Sequence, residues 1–158
     1  MESRDQNSRG RIEAVCVSER RGEVKHAVAA GFLQPDHGLE GDGHAGPGHR
    51  QISILATRSI ARIKAVIPEL QPGAFAENLV VSGLDLSAAQ VGDRLKVGGT
   101  AVLEVTQIGK ECHNACVIRE KTGDCVMPRE GLFCRVIAGG PVAAGDPVVL
   151  APGRVVPS

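Results

Sequence analysis

Apolar and polar residues alternate along several short runs of the chain, and this period of two is typical of β-strands. The run RIEAVCVS places Ile12, Ala14 and Cys16 on one face and two valines on the other. Apolar residues on both faces predict a strand that is buried on both sides. The run RQISILA alternates in the same way and predicts a second strand.

One stretch has the period of a helix instead. Ile60, Ile63 and Ile67 fall on one side of a helix that Thr57 can cap and that Pro68 is expected to end. Turn residues follow in QPGAF, and the next run, AENLVVSG, predicts a short strand.

The clearest predicted element is DRLKVGGTAVLEVTQ. Two runs rich in strand-forming residues flank Gly98 and Gly99, and tight hairpin turns need residues that adopt positive φ. GLFCRVIAGG and GDPVVLAP predict two more strands, and VGDRL and AGDPV repeat one Gly-Asp turn before a strand. Because strands do not alternate regularly with helices, the sequence predicts a mostly-β barrel with one or two short helices. We expect a flexible leader (1–10), one domain (11–151) and a tail (152–158).

Charge and composition exclude several classes of protein. Lysine and arginine together number 18, as do aspartate and glutamate, so no general attraction to nucleic acid or to a membrane surface is expected. The chain has no Trp or Tyr and three Phe, which removes the aromatic platforms typical of single-strand binders. It shows neither a signal-peptide pattern nor an apolar run long enough to span a bilayer, and this predicts a cytoplasmic protein. Stable disulfides are rare in that compartment, and Cys16 and Cys134, in apolar strand runs, are expected in the core.

Two polar stretches are candidates for a functional site. The first, HGLEGDGHAGPGHRQ, is called here the histidine–glycine loop (residues 37–51) and directly precedes a predicted strand. Its glycines let a ligand approach the backbone, and Asp42, His44, His49 and Arg50 are candidates to line a pocket for an anion. Asp42, His44 and His49 could also bind zinc or iron, although their spacing matches no standard motif, and a structural loop is the third interpretation.

The second stretch, GKECHNACVIREKTGDC, holds three of the five cysteines. A cysteine that acts as a nucleophile or carries sulfur must be a thiolate near neutral pH, and neighbouring cations or a helix N-terminus lower its pKa. Cys112 follows the AVLEVTQ strand, has Lys110 and His113 beside it, and would lie near the start of a short helix over 114–121. These features predict a reactive thiol, although Glu111 would raise the pKa of that thiol.

Two other interpretations of this second stretch stay open. Cys112 and Cys116, four residues apart, could pack one face of a helix into the core. A metal could instead be held by Cys112, Cys116 and Cys125, with or without His113, but the spacings of zinc knuckles and iron–sulfur sites are absent.

Three further residues are candidate ligand contacts. Glu77 and Asn78 place a carboxylate and an amide where a loop meets a predicted strand, and either could bond a ligand or satisfy the local backbone. Arg129, in MPREG before the LFCRVI strand, is either a phosphate contact or part of a solvated turn.

The chain resembles the MOSC domain, named for the C-terminal domain of molybdenum cofactor sulfurases. The resemblance runs from about Arg11 to Leu150 and lies in the order of the motifs LEGDGHAG, RQISIL, PGAFAENLVVSGLDL, VGDRLKVG, LEVTQIGKECH, MPREGLFCRVIAGG and AGDPVVL. GKECH together with GDC and MPREG resembles a small bacterial subgroup of stand-alone proteins associated with molybdopterin biosynthesis.

The resemblance implies a β-barrel that binds the molybdenum cofactor (molybdopterin), or that carries sulfur as a persulfide on one cysteine, here Cys112. Its implied partners are a sulfur donor and molybdoenzymes or cofactor-biosynthesis proteins. No pyridoxal phosphate is expected, because the chain has no aminotransferase-like domain. The resemblance also implies that the pocket is bordered by Asp42, His44, Arg50, Gln51, Glu77 and Asn78.

These residues lead to a hypothesis about mechanism. An anionic pterin cofactor would lie between the histidine–glycine loop and the hairpin, where Lys110, Arg50 and Arg129 counter its phosphate and dithiolene charge. Cys112, with His113 beside it, would ligate molybdenum or present a persulfide sulfur to it. The alternatives are a zinc-stabilised binding module without catalysis and a cofactor-dependent reductase of N-hydroxylated compounds, and the sequence leaves open whether the chain is an enzyme.

Overall fold

The computed structural model describes residues 9–20, 23–43, 45–48, 50–109 and 131–151. Within these ranges the helical elements are α1 (Thr57–Lys64) and a 3-10 turn (Leu86–Ala88). The strands are β1 (Arg9–Val17), β2 (His26–Val28), β3 (Ala30–Gln34), β4 (Gly38–Leu39), β5 (Ile52–Ala56), β6 (Leu79–Ser82), β7 (Arg94–Val97), β8 (Ala101–Ile108), β9 (Leu132–Ala138), β10 (Gly140–Ala143) and β11 (Pro147–Ala151). No helix in the described ranges is long and apolar enough to cross a membrane.

Seven strands close into a barrel. They follow the order β11-β7-β8-β9-β5-β6-β1, and β1 pairs back with β11 to complete the ring. The pairs in this ring are antiparallel except for β5 with β6, which run parallel. Closure leaves no unpaired edge in the ring, and the predicted mostly-β barrel is confirmed.

The sequence pattern does not predict β2, β3 or β4. β2 extends the barrel sheet beside β1, and a separate sheet has the order β10-β3-β4. These strands are short, and β3 contributes one fully buried side chain, Leu33, to the barrel core. β2 has three residues and β4 has two, which is too short for alternation to show, and β3 pairs with the distant strand β10.

A bulge in β1 corrects the predicted face of Ile12. The pairing register with β6 shifts between Ile12 and Ala14, so Ile12 points with Val15 into the barrel core. Ala14 and Cys16 pack with Val80 in a separate cluster. The prediction that Ile12 shares a face with Ala14 and Cys16 is therefore wrong, because a bulge inverts the alternation beyond it.

Helix α1 covers the outer face of β5 and β6. Its Ile63 belongs to a second apolar cluster with Leu55 and Phe133, and its Ile60 packs against both outer clusters. The helix thereby buries the side chains of β5 that point away from the barrel core.

The ends of α1 differ from the sequence prediction. The N-cap position is Ala56, which makes no side-chain capping bond, and Thr57 is the first helical residue. Ala56 is also the last residue of β5, and its methyl side chain has no oxygen that could accept the first helical N–H groups. The helix also ends at Lys64 rather than at Pro68, and Ile67 reaches the outer cluster from the turn beyond the helix.

The β7–β8 hairpin is present with a longer turn than predicted. Val97 pairs with Ala101, so the loop contains three residues, Gly98, Gly99 and Thr100. Of these, Gly98 has a positive φ of 65°. A three-residue loop with one left-handed glycine replaces the two-residue turn expected from the Gly-Gly pair.

The repeated Gly-Asp turns are confirmed. Gly92 and Gly145 both have a φ of 97°, and the next residues, Asp93 and Asp146, each accept the backbone N–H three residues earlier at 2.9 Å. The same type of turn therefore precedes both β7 and β11.

Candidate functional site

The segment that carries Cys112 leaves and rejoins the barrel at one place. Ile108 at the end of β8 pairs with Leu132 at the start of β9, and the N–H of Gly109 donates to the carbonyl of Gly131 at 2.7 Å. We call Gly109 and Gly131 the root of the Cys112 segment. Several predicted residues lie outside the described ranges, namely Lys110, Cys112, His113, Cys116, Cys125 and Arg129 on this segment and His44 and His49 in the histidine–glycine loop.

A cavity of about 220 Å³ lies beside the root. Ile108 and Leu132 line it from β8 and β9, which we call the root strands. Arg58 and Ser59 line it from the start of α1, and Ser87 from the 3-10 turn. Pockets for small ligands usually enclose about 300–1,000 Å³, so the cavity formed by the described residues is smaller than is typical.

Arg50 connects the histidine–glycine loop to the root. Its Nε donates to Gln107 Oε1 at 3.0 Å, and its guanidinium lies 5.2 Å from the centre of the Phe133 ring. Gln107 Nε2 in turn donates to the carbonyl of Gly109 at 2.8 Å. Because Arg50 is exposed, the other N–H groups of its guanidinium can meet an anion on this side of the root.

Gln51 fastens the end of the histidine–glycine loop to the barrel. Its Nε2 donates to Asp36 Oδ1 at 2.9 Å and to the carbonyl of Gly48 at 3.0 Å. Its Oε1 accepts the backbone N–H of Val136 in β9 at 3.0 Å. Since Gln51 is buried, these contacts give it a role in holding the loop that carries Arg50.

Asp42 belongs to a buried ion pair that sequence reasoning missed. Lys25 Nζ lies 2.7 Å from Asp42 Oδ1, and both side chains are fully buried. Asp42 Oδ1 also accepts the N–H of Ser18 at 3.1 Å. Burial alone would raise the pKa of Asp42, but Lys25 and the Ser18 N–H together hold it below its ordinary value. No local sequence pattern indicates that a lysine is buried, and lysine side chains are almost always exposed to solvent.

Asn78 ties three parts of the chain together. Its Oδ1 accepts the N–H of Ser53 in β5 at 3.0 Å, and its Nδ2 donates to the carbonyl of Cys16 in β1 at 3.1 Å. The Asn78 side chain also forms a hydrogen bond with Asp42. Asn78 therefore links the ion pair to the strands behind it.

Glu77 closes the turn that precedes β6. Its carboxylate is fully buried and accepts the N–H groups of Gly73 and Phe75, each at 2.9 Å. Burial raises the pKa of Glu77, against the lowering effect of these N–H groups. In this structure Glu77 satisfies local backbone groups, which is one of the two roles that its position in the sequence allowed.

The predicted residues in the described ranges therefore lie at two levels of the barrel. Asp42, Gln51 and Asn78 lie where β5 and β6 begin, whereas the root lies toward the other end of β5, since Leu132 pairs with Ile54. Arg50 precedes β5 and bonds to Gln107, which pairs with Phe133 opposite Ser53. Its guanidinium therefore lies near the start of β5, and Gln107 continues the contact to Gly109 in the root.

No cluster of three or more His, Cys, Asp or Glu that could hold a metal occurs among the residues that the structure describes. The metal interpretation of Asp42 with His44 and His49 uses two residues outside those ranges, and so does each cysteine of the Cys112, Cys116 and Cys125 interpretation.

Cys16 and Cys134 are buried free thiols, as predicted. Burial raises the pKa of Cys16 to about 12 and also raises the pKa of Cys134. Both thiols therefore stay protonated at neutral pH and are poor nucleophiles.

Comparison with known proteins decides the family. The model of the MOSC domain matches residues 40–149, which include most of the histidine–glycine loop, both root strands and the whole Cys112 segment. The chain belongs to the MOSC domain family.

Solved structures share the fold of this MOSC domain. The YuaD protein from Bacillus subtilis aligns with a TM-score of 0.74 at 18% identity, over 92% of this chain and 97% of that one. YiiM from Escherichia coli aligns with a TM-score of 0.62 at 24% identity, over 94% and 72%. YiiM from Geobacillus stearothermophilus aligns with a TM-score of 0.66 at 20% identity, over 90% and 75%. No curated protein sequence matches the chain.

Proposed function

We propose that this MOSC domain binds the molybdenum cofactor and presents the thiol of Cys112 to it, as a molybdenum ligand or as a persulfide that carries sulfur. The family is tied to molybdenum cofactor binding and sulfuration. The observation that carries the proposal is the position of the root from which the chain continues to Cys112: the root lies beside a cavity, and Gln107 joins it to the exposed Arg50.

The described residues fit an anionic pterin cofactor in charge and in donor type. Arg50 and Arg58 supply guanidinium groups near the root, and guanidinium suits phosphate because it can donate two parallel hydrogen bonds. Arg58 is partly neutralised by Asp85, at 2.9 Å, so Arg50 is the stronger candidate for the phosphate. Ser59 and Ser87 add hydroxyl groups to the cavity wall.

Each residue has a separate task in this proposal. Arg50 counters the negative charge of the cofactor, and Gln107 orients Arg50 by accepting its Nε–H. Lys110 and His113 favour the thiolate of Cys112, whereas Glu111 opposes it. When bound, the cofactor supplies molybdenum, a metal that accepts soft sulfur ligands.

We also propose a setting for this activity. The protein would act in the cytoplasm with a sulfur donor on one side and molybdoenzymes or cofactor-biosynthesis proteins on the other.

Titration of the cofactor-free protein with isolated molybdenum cofactor tests the proposal. We expect saturable binding with one cofactor per chain, followed through the fluorescence of the pterin. Arg50→Ala should raise the dissociation constant by about tenfold or more, because a hydrogen bond to a charged group contributes about 1.5–3 kcal/mol.

Arg94→Ala is the matched control for this titration. Arg94 is also an exposed arginine, but it lies on β7 and faces Glu104 across the strand pair. Its replacement should leave the affinity within about twofold of wild type, as expected for a surface charge away from the site. Absence of saturable binding to the wild-type protein contradicts the proposed function, and equal losses in both variants contradict the role of Arg50.

A further inference from the structure

We infer that Lys25 is a positioning residue for the proposed site: through Asp42 it fixes the histidine–glycine loop so that Arg50 reaches the root of the Cys112 segment. The consequence for cofactor binding rests on the proposed function. The positioning of Arg50 is a property of the protein alone and can be tested without a cofactor.

Lys25 projects from a firmly held piece of backbone. Its N–H donates to the carbonyl of Gly73 at 3.0 Å, and the adjoining strand β2 pairs with β1. A Cβ atom placed on Gly73 would lie 2.1 Å from the carbonyl oxygen of Lys25, so the two backbones are in close contact. Glu77 fixes that turn from the other side by accepting the N–H of Gly73. The backbone from which the Lys25 side chain extends is therefore firmly held.

Lys25 donates to Asp42, which lies in the first half of the histidine–glycine loop. Asp42 Oδ1 receives Lys25 Nζ and the N–H of Ser18, and the next residue, Gly43, donates its N–H to the carbonyl of Ser18 at 2.7 Å. Lys25 Nζ also donates to Ser18 Oγ at 3.1 Å. The loop is thus joined to the end of β1 by polar contacts at two consecutive residues.

Packing holds the start of the loop but not its middle. Leu39 is buried in the barrel core, and a Cβ atom added to Gly38 would lie 2.7 Å from the carbonyl oxygen of Gln51, whereas one added to Gly41, Gly46 or Gly48 would meet no heavy atom within 4 Å. Beyond Leu39, polar contacts made by Asp42 and Gln51 add to the hold on the loop. Asp42 is also linked to the start of β5, because its partner Asn78 accepts the N–H of Ser53.

The chemistry of a buried ion pair favours positioning over stability. Two buried charges contribute little net stability compared with uncharged side chains of similar size, because both charges lose their hydration. They do impose one geometry, since either charge left without its partner is strongly unfavourable. Lys25 and Asp42 therefore specify where the loop lies more than they raise the overall stability.

The first test measures Arg50 directly. Lys25→Met/Asp42→Asn removes both charges together, and NMR follows hydrogen exchange of the Arg50 Nε–H in the cofactor-free protein. We expect exchange at least about tenfold faster than in wild type, with unchanged protection of Ile54 and Leu103 in the barrel core. An unchanged Arg50 exchange rate in the folded variant overturns the inference.

A milder variant serves if the double replacement does not fold. Ser18→Ala keeps both charges and removes the hydroxyl that accepts from Lys25 Nζ. We expect the Arg50 Nε–H to exchange about threefold faster, a smaller effect in the same direction. No change in this variant would count against Lys25 as the residue that sets the loop.

The second test is a double-mutant cycle with isolated molybdenum cofactor. Lys25→Met/Asp42→Asn should weaken binding by about tenfold in the wild-type background and by less than about twofold in an Arg50→Ala background. Equal losses in both backgrounds show that Lys25 does not act through Arg50 and overturn the inference. If the wild-type protein binds no cofactor, the proposed function fails, and the exchange measurement still decides the positioning role.

Discussion

Lys25→Met should lower the free energy of unfolding by about 3–5 kcal/mol at neutral pH, because it leaves the buried carboxylate of Asp42 without its cation. Urea unfolding followed by circular dichroism measures this change. Adding Asp42→Asn should recover most of the loss, since the uncompensated charge is then removed. Lys96→Met is the matched control, because Lys96 is exposed on β7, and it should change stability by no more than about 0.5 kcal/mol.

The pH dependence of this loss has a defined sign. In wild type the folded pKa of Asp42 is lowered, so its contribution is present above the unfolded value of about 3.9 and disappears as the pH falls through the folded pKa. Without Lys25, burial raises that pKa, and protonation then relieves the penalty. The deficit of Lys25→Met should therefore be largest at neutral pH and shrink on acidification. A deficit that is small at neutral pH, or constant with pH, contradicts the account of the ion pair.

Cys112→Ser should abolish both retention of the molybdenum cofactor and labelling by persulfide-specific reagents. A serine hydroxyl is a poor ligand for a metal that prefers soft sulfur donors, and it cannot carry a sulfane sulfur. Cofactor content of the purified variant and mass spectrometry of the labelled protein measure the two losses.

Cys16→Ser is the matched control for this replacement. Cys16 is buried, and its pKa is raised to about 12, so it neither reaches a ligand nor provides a thiolate at neutral pH. Its replacement should leave cofactor content and persulfide labelling at wild-type levels. Equal losses from both replacements would show that the cysteines matter through packing.

Local patterns predicted much of the fold. Alternation located β1, β5 and the β7–β8 hairpin, and the Gly-Asp repeat predicted two turns that are built in the same way. The face of Ile12 was predicted wrongly because a bulge is a property of the paired strands and leaves no mark in one strand alone. The absent cap at Thr57 likewise follows from the direct junction between β5 and α1.

The candidate site was harder to predict because its contacts are non-local. Asn78 was recognised as a polar residue at a loop–strand junction, but its partners Ser53 and Cys16 lie 25 and 62 residues away. Lys25 was missed, since nothing near it in the sequence indicates that it is paired with Asp42. The charge of Arg50 makes it a candidate ligand contact from the sequence alone. Its position near the root could not be predicted in this way, because it depends on how β5, β9 and β8 pair.

The composition of protein purified from a molybdate-replete host decides whether this MOSC domain carries the molybdenum cofactor. Molybdenum is measured by elemental analysis and the pterin by its fluorescence after oxidation, each per chain and after dialysis. We expect molybdenum and pterin in nearly equal amounts in wild type, and neither in Cys112→Ser. Stoichiometric zinc that survives dialysis, with no molybdenum and no pterin, would contradict this expectation and would favour a zinc-stabilised binding module.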